Sequence, residues 1–99
     1  MPYLVGWSPH ALVSVQRIYR FLAEKDLEAA KAAVTAILGK ANVLEDFPNV
    51  GRPADDLEPE QRELLIPFGA TGFVLLYHFD EQEKQILILA VRHQKEVGY

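Results

Sequence analysis

The segment "GFVLLYHFDEQEKQILILAVRH", residues 72 to 93, decides the fold of this chain. It holds two runs rich in β-branched and aromatic residues, Gly72–Phe79 and Gln85–Val91, joined by the short connector "DEQEK". Runs of this composition are typical of β-strands. A connector this short joins antiparallel neighbours. The segment therefore predicts a β-hairpin near the end of the chain.

A third strand precedes this hairpin. The run "RELLIPF", Arg62–Phe68, is separated from it only by "GAT", so the three runs predict an antiparallel meander. Taking the middle residue of each connector as the hairpin centre pairs Leu64 with Leu76 and Leu76 with Ile88. A slip of one residue would move each side chain to the other face of the sheet.

Both faces of the predicted sheet are apolar. In this register one face carries Leu64, Ile66, Val74, Leu76, Ile86, Ile88 and Ala90, and the other carries Leu65, Phe73, Leu75, Tyr77, Phe79, Leu87, Leu89 and Val91. A sheet that is covered on one side only should alternate apolar with polar residues. We therefore expect a partner protein to cover the second face.

The first half of the chain predicts a strand and two helices. Tyr3–Trp7 reads as a strand, and Ser8 followed by Pro9 is a strong helix start, which predicts a helix over Pro9–Lys25. Asp26 is a second N-cap. The apolar stripes expected to face the core are Leu12, Val15, Ile18, Tyr19 and Leu22 in the first helix and Leu27, Ala30, Val34, Ile37, Ala41 and Leu44 in the second.

The order of elements predicts one α+β domain over residues 1–99. It consists of an N-terminal strand, a two-helix antiparallel hairpin and a three-stranded antiparallel meander, with the helices packed on one face of the sheet. The segment Phe47–Gln61, with three prolines and one glycine, is expected to be a loop.

Composition narrows the function classes. The 99-residue chain has a net charge of −4, which lowers the expectation that nucleic acid is its main ligand. It has no cysteine, and its three histidines lack the spacing of metal ligands, so we expect no metal and no cofactor. No apolar run approaches the ~20 residues that span a bilayer, and the N-terminus lacks signal-peptide features. A soluble, cytoplasmic protein is expected.

The chain closes with a small basic cluster, in the segment "AVRHQKEVGY" at residues 90 to 99. Arg92, His93 and Lys95 follow an aliphatic strand directly. Three interpretations are open at this point: an RNA-cleaving site, a docking surface for a protein partner, or a solvated strand end.

An ordered set of short motifs runs through the whole chain. They are "W-S-P-x-A" at Trp7, Ser8, Pro9 and Ala11, "I-Y" at Ile18 and Tyr19, "L-x-x-F-P-x-x-G-R" from Leu44 to Arg52, Arg62 at the start of a strand, and the closing hairpin that ends in Arg92 and His93. On these residues the chain resembles the RelE/ParE superfamily of type II toxin–antitoxin toxins. The resemblance implies a toxin from a plasmid-stabilisation module, neutralised by a cognate antitoxin.

The superfamily has two functional branches. RelE-like members are ribosome-dependent mRNA endonucleases that use basic residues in the sheet, and ParE-like members inhibit DNA gyrase. This chain has Val74 where the nuclease pattern has an arginine, and Leu64, Leu65 and Ile66 where it has basic residues. The resemblance therefore favours the ParE-like branch, with gyrase as the target.

The candidate site residues differ between the two branches. For protein binding they are Arg62, Tyr77, Arg92, His93 and Lys95. For the alternative, a RelE-type nuclease acting on ribosome-bound mRNA, they are Arg92, His93, Lys95 and Tyr99. The predicted register places Arg62 opposite His78, about 20 Å along the strands from Arg92 at 3.3 Å per residue, which is too far for one reaction centre.

Overall fold

The chain folds as two helices packed on one face of a five-stranded sheet, in a computed structural model that describes residues 2–54 and 60–96. The elements in chain order are β1 (Leu4–Trp7), α1 (Pro9–Ala23), α2 (Leu27–Asn42), a 3₁₀ turn (Val43–Glu45), β2 (Arg52–Pro53), β3 (Gln61–Phe68), β4 (Thr71–Asp80) and β5 (Gln85–His93). This arrangement confirms the predicted α+β class. None of the described helices is long and apolar enough to cross a membrane.

The two helices begin at the predicted caps. The Ser8 hydroxyl accepts the backbone N–H of Ala11, and the Asp26 carboxylate accepts the N–H groups of Glu28 and Ala29. The predicted apolar stripes are partly wrong, because each helix is rotated so that mainly its smaller side chains face the core. Leu12 and Leu27 are half exposed, whereas the buried positions are Ala11, Ser14 and Ile18 in α1 and Ala30, Ala33, Ile37 and Ala41 in α2.

The sheet has more strands than the sequence predicted. Its order is β1-β5-β4-β3-β2, with β1 parallel to β5 and the other neighbours antiparallel. The parallel pairing joins the two ends of the chain, so short connectors could not predict it. A two-residue strand, Arg52–Pro53, lies inside the segment that was expected to be entirely loop, and it pairs with Arg62 and Glu63.

The register of the first hairpin differs from the prediction by one residue. Leu64 pairs with Leu75 rather than Leu76, and Arg62 pairs with Tyr77 rather than His78. The cause is the turn, which has two central residues. Gly69 is the first of these and has a φ of 59°, a conformation that glycine adopts without a steric penalty.

The second hairpin contains an irregularity that the sequence did not predict. Leu76 pairs with Ala90, whereas Tyr77 pairs with Ile88, so Leu89 is an extra residue in β5. This β-bulge changes which side chains of β5 face the helices. The residues that pack against the helices are drawn from both predicted faces: Leu64, Ile66, Phe73, Leu75, Tyr77, Ile86, Ile88 and Val91.

The face of the sheet opposite the helices, termed the far face below, is less open than predicted. Val74, Leu76 and Ala90 lie on it and are only 2%, 6% and 2% exposed. Leu65 and Leu87, at 40% and 42%, are its exposed large apolar residues among those on β3 and β5 that the structure describes. The expectation of a bare apolar face is therefore wrong for the central rows of the sheet.

Candidate functional site

Arg92 does not share a site with the rest of the predicted basic cluster, because the sheet separates it from His93. β5 continues to His93, so Arg92 and His93 are consecutive residues of a strand and project from opposite faces. Arg92 pairs with Val74 and lies on the far face, whereas His93 pairs with Phe73 and lies on the helix face. Each residue therefore has its own surroundings.

Arg92 organises the turn that follows β5. Its Nη1 donates to the carbonyl oxygens of His93, Gln94 and Glu96, at 3.2, 3.4 and 2.8 Å. Its Nη2 lies 4.0 Å from a carboxylate oxygen of Glu63, and the side chains of both residues are largely buried. The guanidinium is thus used to hold the chain end and to pair with a carboxylate of β3.

Glu63 also pairs with a second arginine on the far face. Arg52 Nε donates to Glu63 Oε1 at 3.2 Å, so one carboxylate lies between the cations of β2 and β5. A carboxylate in this position reduces the attraction of the two arginines for a phosphate.

His93 is held by both of its ring nitrogens. Nε2 lies 3.0 Å from the Thr71 hydroxyl, and Nδ1 accepts the backbone N–H of Lys95 at 3.1 Å. An Nδ1 that accepts a hydrogen bond leaves the ring proton on Nε2, which donates it to Thr71. The ring also packs edge-on against Phe73, with 5.9 Å between the ring centroids. These contacts fix the position of the imidazole.

The helix-face side of His93 opens into a cleft between α1 and the ends of β4 and β5. The cleft has a volume of about 510 Å³ and is lined by Arg17, Ile18, Phe21, Leu22, Phe73, His93, Lys95 and Glu96. Ile18 and Phe73 are buried in its floor, and Phe21 is 58% exposed on its wall. It combines an apolar interior with charged groups at the rim, as binding clefts commonly do.

Tyr77 and Arg62, two predicted partner contacts, instead hold the loop after the 3₁₀ turn. The Tyr77 hydroxyl donates to the Pro48 carbonyl at 2.8 Å and accepts the Gly51 N–H at 3.0 Å. Arg62 Nη1 donates to the Gly51 carbonyl at 2.7 Å. Tyr77 is completely buried under this loop, whereas a partner contact would require an accessible side chain.

Burial also governs the ionisation of this tyrosine. It raises the pKa of the Tyr77 phenol above its usual value, while the Gly51 N–H and the positive charge of Arg62 act in the opposite direction. The neutral phenol is the form that donates to the Pro48 carbonyl. The motif residues Pro48 and Gly51 thus have a structural explanation.

Arg62, Arg92 and His93 are too far apart for a common reaction centre. Arg62 pairs with Tyr77 of β4, and His93 pairs with Phe73 of the same strand. Arg62 and His93 are therefore four positions apart along β4, or about 13 Å at 3.3 Å per residue. Arg92 is only three positions from Arg62, closer than predicted, but it projects from the far face. Tyr99 lies outside the described residues.

The cleft also contains residues that were not predicted from the sequence as site residues. Arg17 and Phe21 are one helical turn apart on α1, at the flank of the predicted apolar stripe. An exposed phenylalanine one helical turn after an arginine could have indicated a binding surface. Only the tertiary structure, however, places this phenylalanine in the same cleft as His93. Within residues 2–54 and 60–96, no group of three His, Asp or Glu side chains could hold a metal ion.

Known proteins are similar to this chain in sequence and in fold. The family model of the ParE toxin of the type II toxin–antitoxin system parDE matches residues 5–98. The curated toxin RelE3 of Caulobacter vibrioides is 31% identical over 92 residues, which are 93% of this chain and 95% of that protein.

Two solved structures show the same fold. One is from the chromosomal ParDE system of P. aeruginosa, with a TM-score of 0.72 and 21% identity, covering 92% of this chain and 95% of that one. The other is from the RelBE2 toxin–antitoxin complex of Mycobacterium tuberculosis, with a TM-score of 0.58 and 23% identity, covering 95% and 100%. The chain belongs to the ParE toxin family, within the RelE/ParE superfamily of type II toxin–antitoxin systems.

Proposed function

We propose that this toxin acts by binding DNA gyrase, without cutting RNA, and that a cognate antitoxin holds it inactive. One observation carries the proposal: Arg92 and His93 project from opposite faces of the sheet. The surface that remains beside His93 and Lys95 is a cleft with an apolar interior. Such a surface suits the binding of a protein.

The geometry gives little support to RNA cleavage. Metal-free cleavage requires a base for the 2′-hydroxyl, an acid for the leaving group and cations around the phosphate, all within a few ångströms. Here Arg62 contacts the Gly51 carbonyl, Arg92 contacts the turn after β5, and both ring nitrogens of His93 have partners. Assembling these groups would break several hydrogen bonds.

The similar proteins carry names from both branches of the superfamily, since the matching family model is that of the ParE toxin and the Caulobacter relative is named RelE3. The proposal of gyrase as the target follows the ParE model, because ParE-like members of the superfamily inhibit gyrase. The similar M. tuberculosis chain was solved in a toxin–antitoxin complex, and the P. aeruginosa chain comes from a ParDE system. An antitoxin partner for this chain follows by analogy.

A test of the target measures DNA supercoiling and transcript integrity in the same cells. Induced toxin should stop replication, produce filaments and trap cleaved gyrase–DNA complexes, while ribosome-bound mRNA stays whole in primer extension. Purified gyrase should lose supercoiling activity when the toxin is added.

Variants distinguish docking from catalysis. His93→Ala and Lys95→Ala should weaken gyrase inhibition gradually, by roughly 1–3 kcal/mol each, as truncated interface residues do. Lys31→Ala, on the exposed side of α2, is the matched control and should inhibit normally. If transcripts are instead cut within codons, and His93→Ala abolishes the cuts with the ~10²–10⁴ loss expected for a general acid or base, the toxin is an RNase.

A further inference from the structure

The motif from Leu44 to Arg52 places two apolar side chains in solvent. Phe47 is 61% exposed and Val50 is 52% exposed, whereas Leu44 is fully buried. The Val50 N–H donates to the Phe47 carbonyl oxygen at 3.2 Å, so these two residues are the first and last of one tight turn. Pro48 is the second residue of this turn, where its fixed φ favours the conformation. One tight turn, termed the Phe47 turn (residues 47–50) below, therefore carries both apolar side chains.

Two side chains of the sheet fix the backbone of the Phe47 turn. The Tyr77 hydroxyl donates to the Pro48 carbonyl at 2.8 Å and accepts the Gly51 N–H at 3.0 Å. Arg62 Nη1 donates to the Gly51 carbonyl at 2.7 Å. A backbone held in this way has little conformational freedom left to lose when a partner binds, which favours binding. The turn is therefore preorganised to present its exposed side chains.

The charge beside the Phe47 turn is negative. Glu45 and Asp46 directly precede the turn and are exposed. Neither carboxylate forms an ion pair with another residue within residues 2–54 and 60–96. The arginines nearest to the turn in sequence are engaged, since Arg52 pairs with a carboxylate of β3 and Arg62 with a backbone carbonyl. The surface around the exposed apolar pair thus attracts cations.

The Phe47 turn is a separate surface from the cleft beside α1. None of the four residues of the turn lines the cleft. Tyr77, which holds the turn, and Phe73, which lines the cleft, are four positions apart along β4, or about 13 Å at 3.3 Å per residue. Two surfaces at this separation fit within one interface, because a typical interface buries about 800 Å² on each partner.

We propose that the Phe47 turn is an anchor by which the toxin binds its target protein. Phe47 and Val50 fill an apolar pocket of the target, and lysines or arginines at the edge of that pocket pair with Glu45 and Asp46. A second copy of this chain does not fit this description, because a two-fold contact through the turn would bring the carboxylates of both copies together. The inference rests on the proposed function for the identity of the target as gyrase.

Photocrosslinking at the turn tests the contact. Benzoylphenylalanine replaces Phe47 in the full chain, and the protein is irradiated together with purified gyrase. We expect a covalent adduct with gyrase. Leu27, which is 49% exposed at the start of α2, is the matched position and should give no adduct. Equal yields at the two positions from toxins that inhibit gyrase, or adducts only between toxin chains, would overturn the proposal.

Substitutions measure the contribution of the two apolar side chains. Phe47→Ser should raise the toxin concentration for half-inhibition of gyrase about tenfold, and Val50→Ser about threefold, as loss of interface anchors does. Leu27→Ser is the control and should inhibit normally. Thermal melting checks that each variant is folded. Normal inhibition by Phe47→Ser would contradict the anchor.

A salt series tests the charged surround. Asp46→Asn should raise the half-inhibitory concentration about two- to threefold at low salt and leave it unchanged at high salt, because exposed charges are screened. Equal inhibition by Asp46→Asn and the unaltered toxin at low salt would contradict the pairing of Asp46 with cations of the target.

Growth arrest in cells separates this proposal from the proposed target, since arrest requires the target whichever protein it is. If the unaltered toxin arrests growth without inhibiting gyrase, and Phe47→Ser relieves the arrest, only gyrase as the target is overturned. If Phe47→Ser inhibits gyrase and arrests growth as strongly as the unaltered toxin, only the anchor is overturned. An unaltered chain that neither arrests growth nor inhibits gyrase overturns both.

Discussion

Arg92 and His93 are bonded neighbours that the sheet separates, one holding the turn after β5 from the far face and the other lining the cleft beside α1. Strand geometry alone produces this separation, since successive side chains alternate between faces. The two residues should therefore respond differently to substitution: Arg92 affects mainly stability and His93 mainly binding.

Replacing Arg92 should destabilise the fold. Arg92→Ala removes three hydrogen bonds to carbonyl oxygens and leaves Glu63 without one of its cations, and hydrogen bonds to a charged group contribute about 1.5–3 kcal/mol. We expect a loss of about 2–3 kcal/mol in urea unfolding. Arg20→Ala, at an exposed position of α1, should stay within about 0.5 kcal/mol of the unaltered protein. Equal effects would mean that Arg92 is not structural.

Tyr77 should make stability fall at high pH. Its folded-state pKa is raised, so the folded protein keeps the phenolic proton at a pH where the unfolded chain has lost it. Stability from this group is complete below about pH 10 and is lost as the pH rises through the folded pKa. Tyr77→Phe lacks this group, and the difference in unfolding free energy between the two proteins should shrink as the pH rises above about 10.

Tyr77→Phe should also lower the free energy of unfolding at neutral pH. The variant leaves the Pro48 carbonyl and the Gly51 N–H without their partner, which should cost roughly 1–3 kcal/mol. Tyr19→Phe, on the partly exposed side of α1, is the control for removal of a phenol. A pH dependence that is the same in Tyr77→Phe and in the unaltered protein would show that the buried phenol does not cause it.

Local signals in the sequence predicted the elements well. Ser8, Pro9 and Asp26 act over three or four residues, and the structure starts α1 and α2 where these residues predicted. The three strands of the meander are likewise recovered within one or two residues, because their composition and short connectors are local properties.

The register and the site depended on features that short-range patterns do not contain. The two-residue turn at Gly69 shifted one hairpin by a residue, and the extra residue Leu89 shifted part of the other. These shifts changed which residues of β3 and β5 share a face with Tyr77. The cleft was not predicted because it lies between Phe21 of α1 and His93 of β5, which are far apart in the sequence.

Two glycines should respond to alanine in opposite directions. A Cβ on Gly51 would lie 2.7 Å from both the Glu63 carbonyl oxygen and the Tyr77 hydroxyl, so Gly51→Ala should shift the loop and lose stability. Gly39 lies in α2 with nothing within 4 Å of the position of its Cβ. Gly39→Ala should therefore gain roughly 0.5–1 kcal/mol. Thermal melting measures both, and a tolerated Gly51→Ala would contradict the tight approach of the loop to β3.

Ser8 should stabilise the fold more than an ordinary helix N-cap does, because its hydroxyl makes two hydrogen bonds. It accepts the Ala11 N–H at 3.0 Å and donates to the Leu89 carbonyl at 3.1 Å, in the bulge of β5. Loss of an N-cap costs about 1 kcal/mol, and leaving the partly buried Leu89 carbonyl unpaired adds about 1 kcal/mol. We therefore expect Ser8→Ala to lose about 2 kcal/mol in urea unfolding.

Asp26→Ala is the matched comparison for Ser8→Ala, since Asp26 caps α2 through its own first turn and is exposed. It should lose only about 1 kcal/mol. Hydrogen exchange adds a local readout, because the Ala11 amide should exchange faster in Ser8→Ala and at its normal rate in Asp26→Ala. If the two variants lose the same stability, the bond from Ser8 to Leu89 contributes nothing, and the bulge is held by the pairing of β5 with its neighbouring strands.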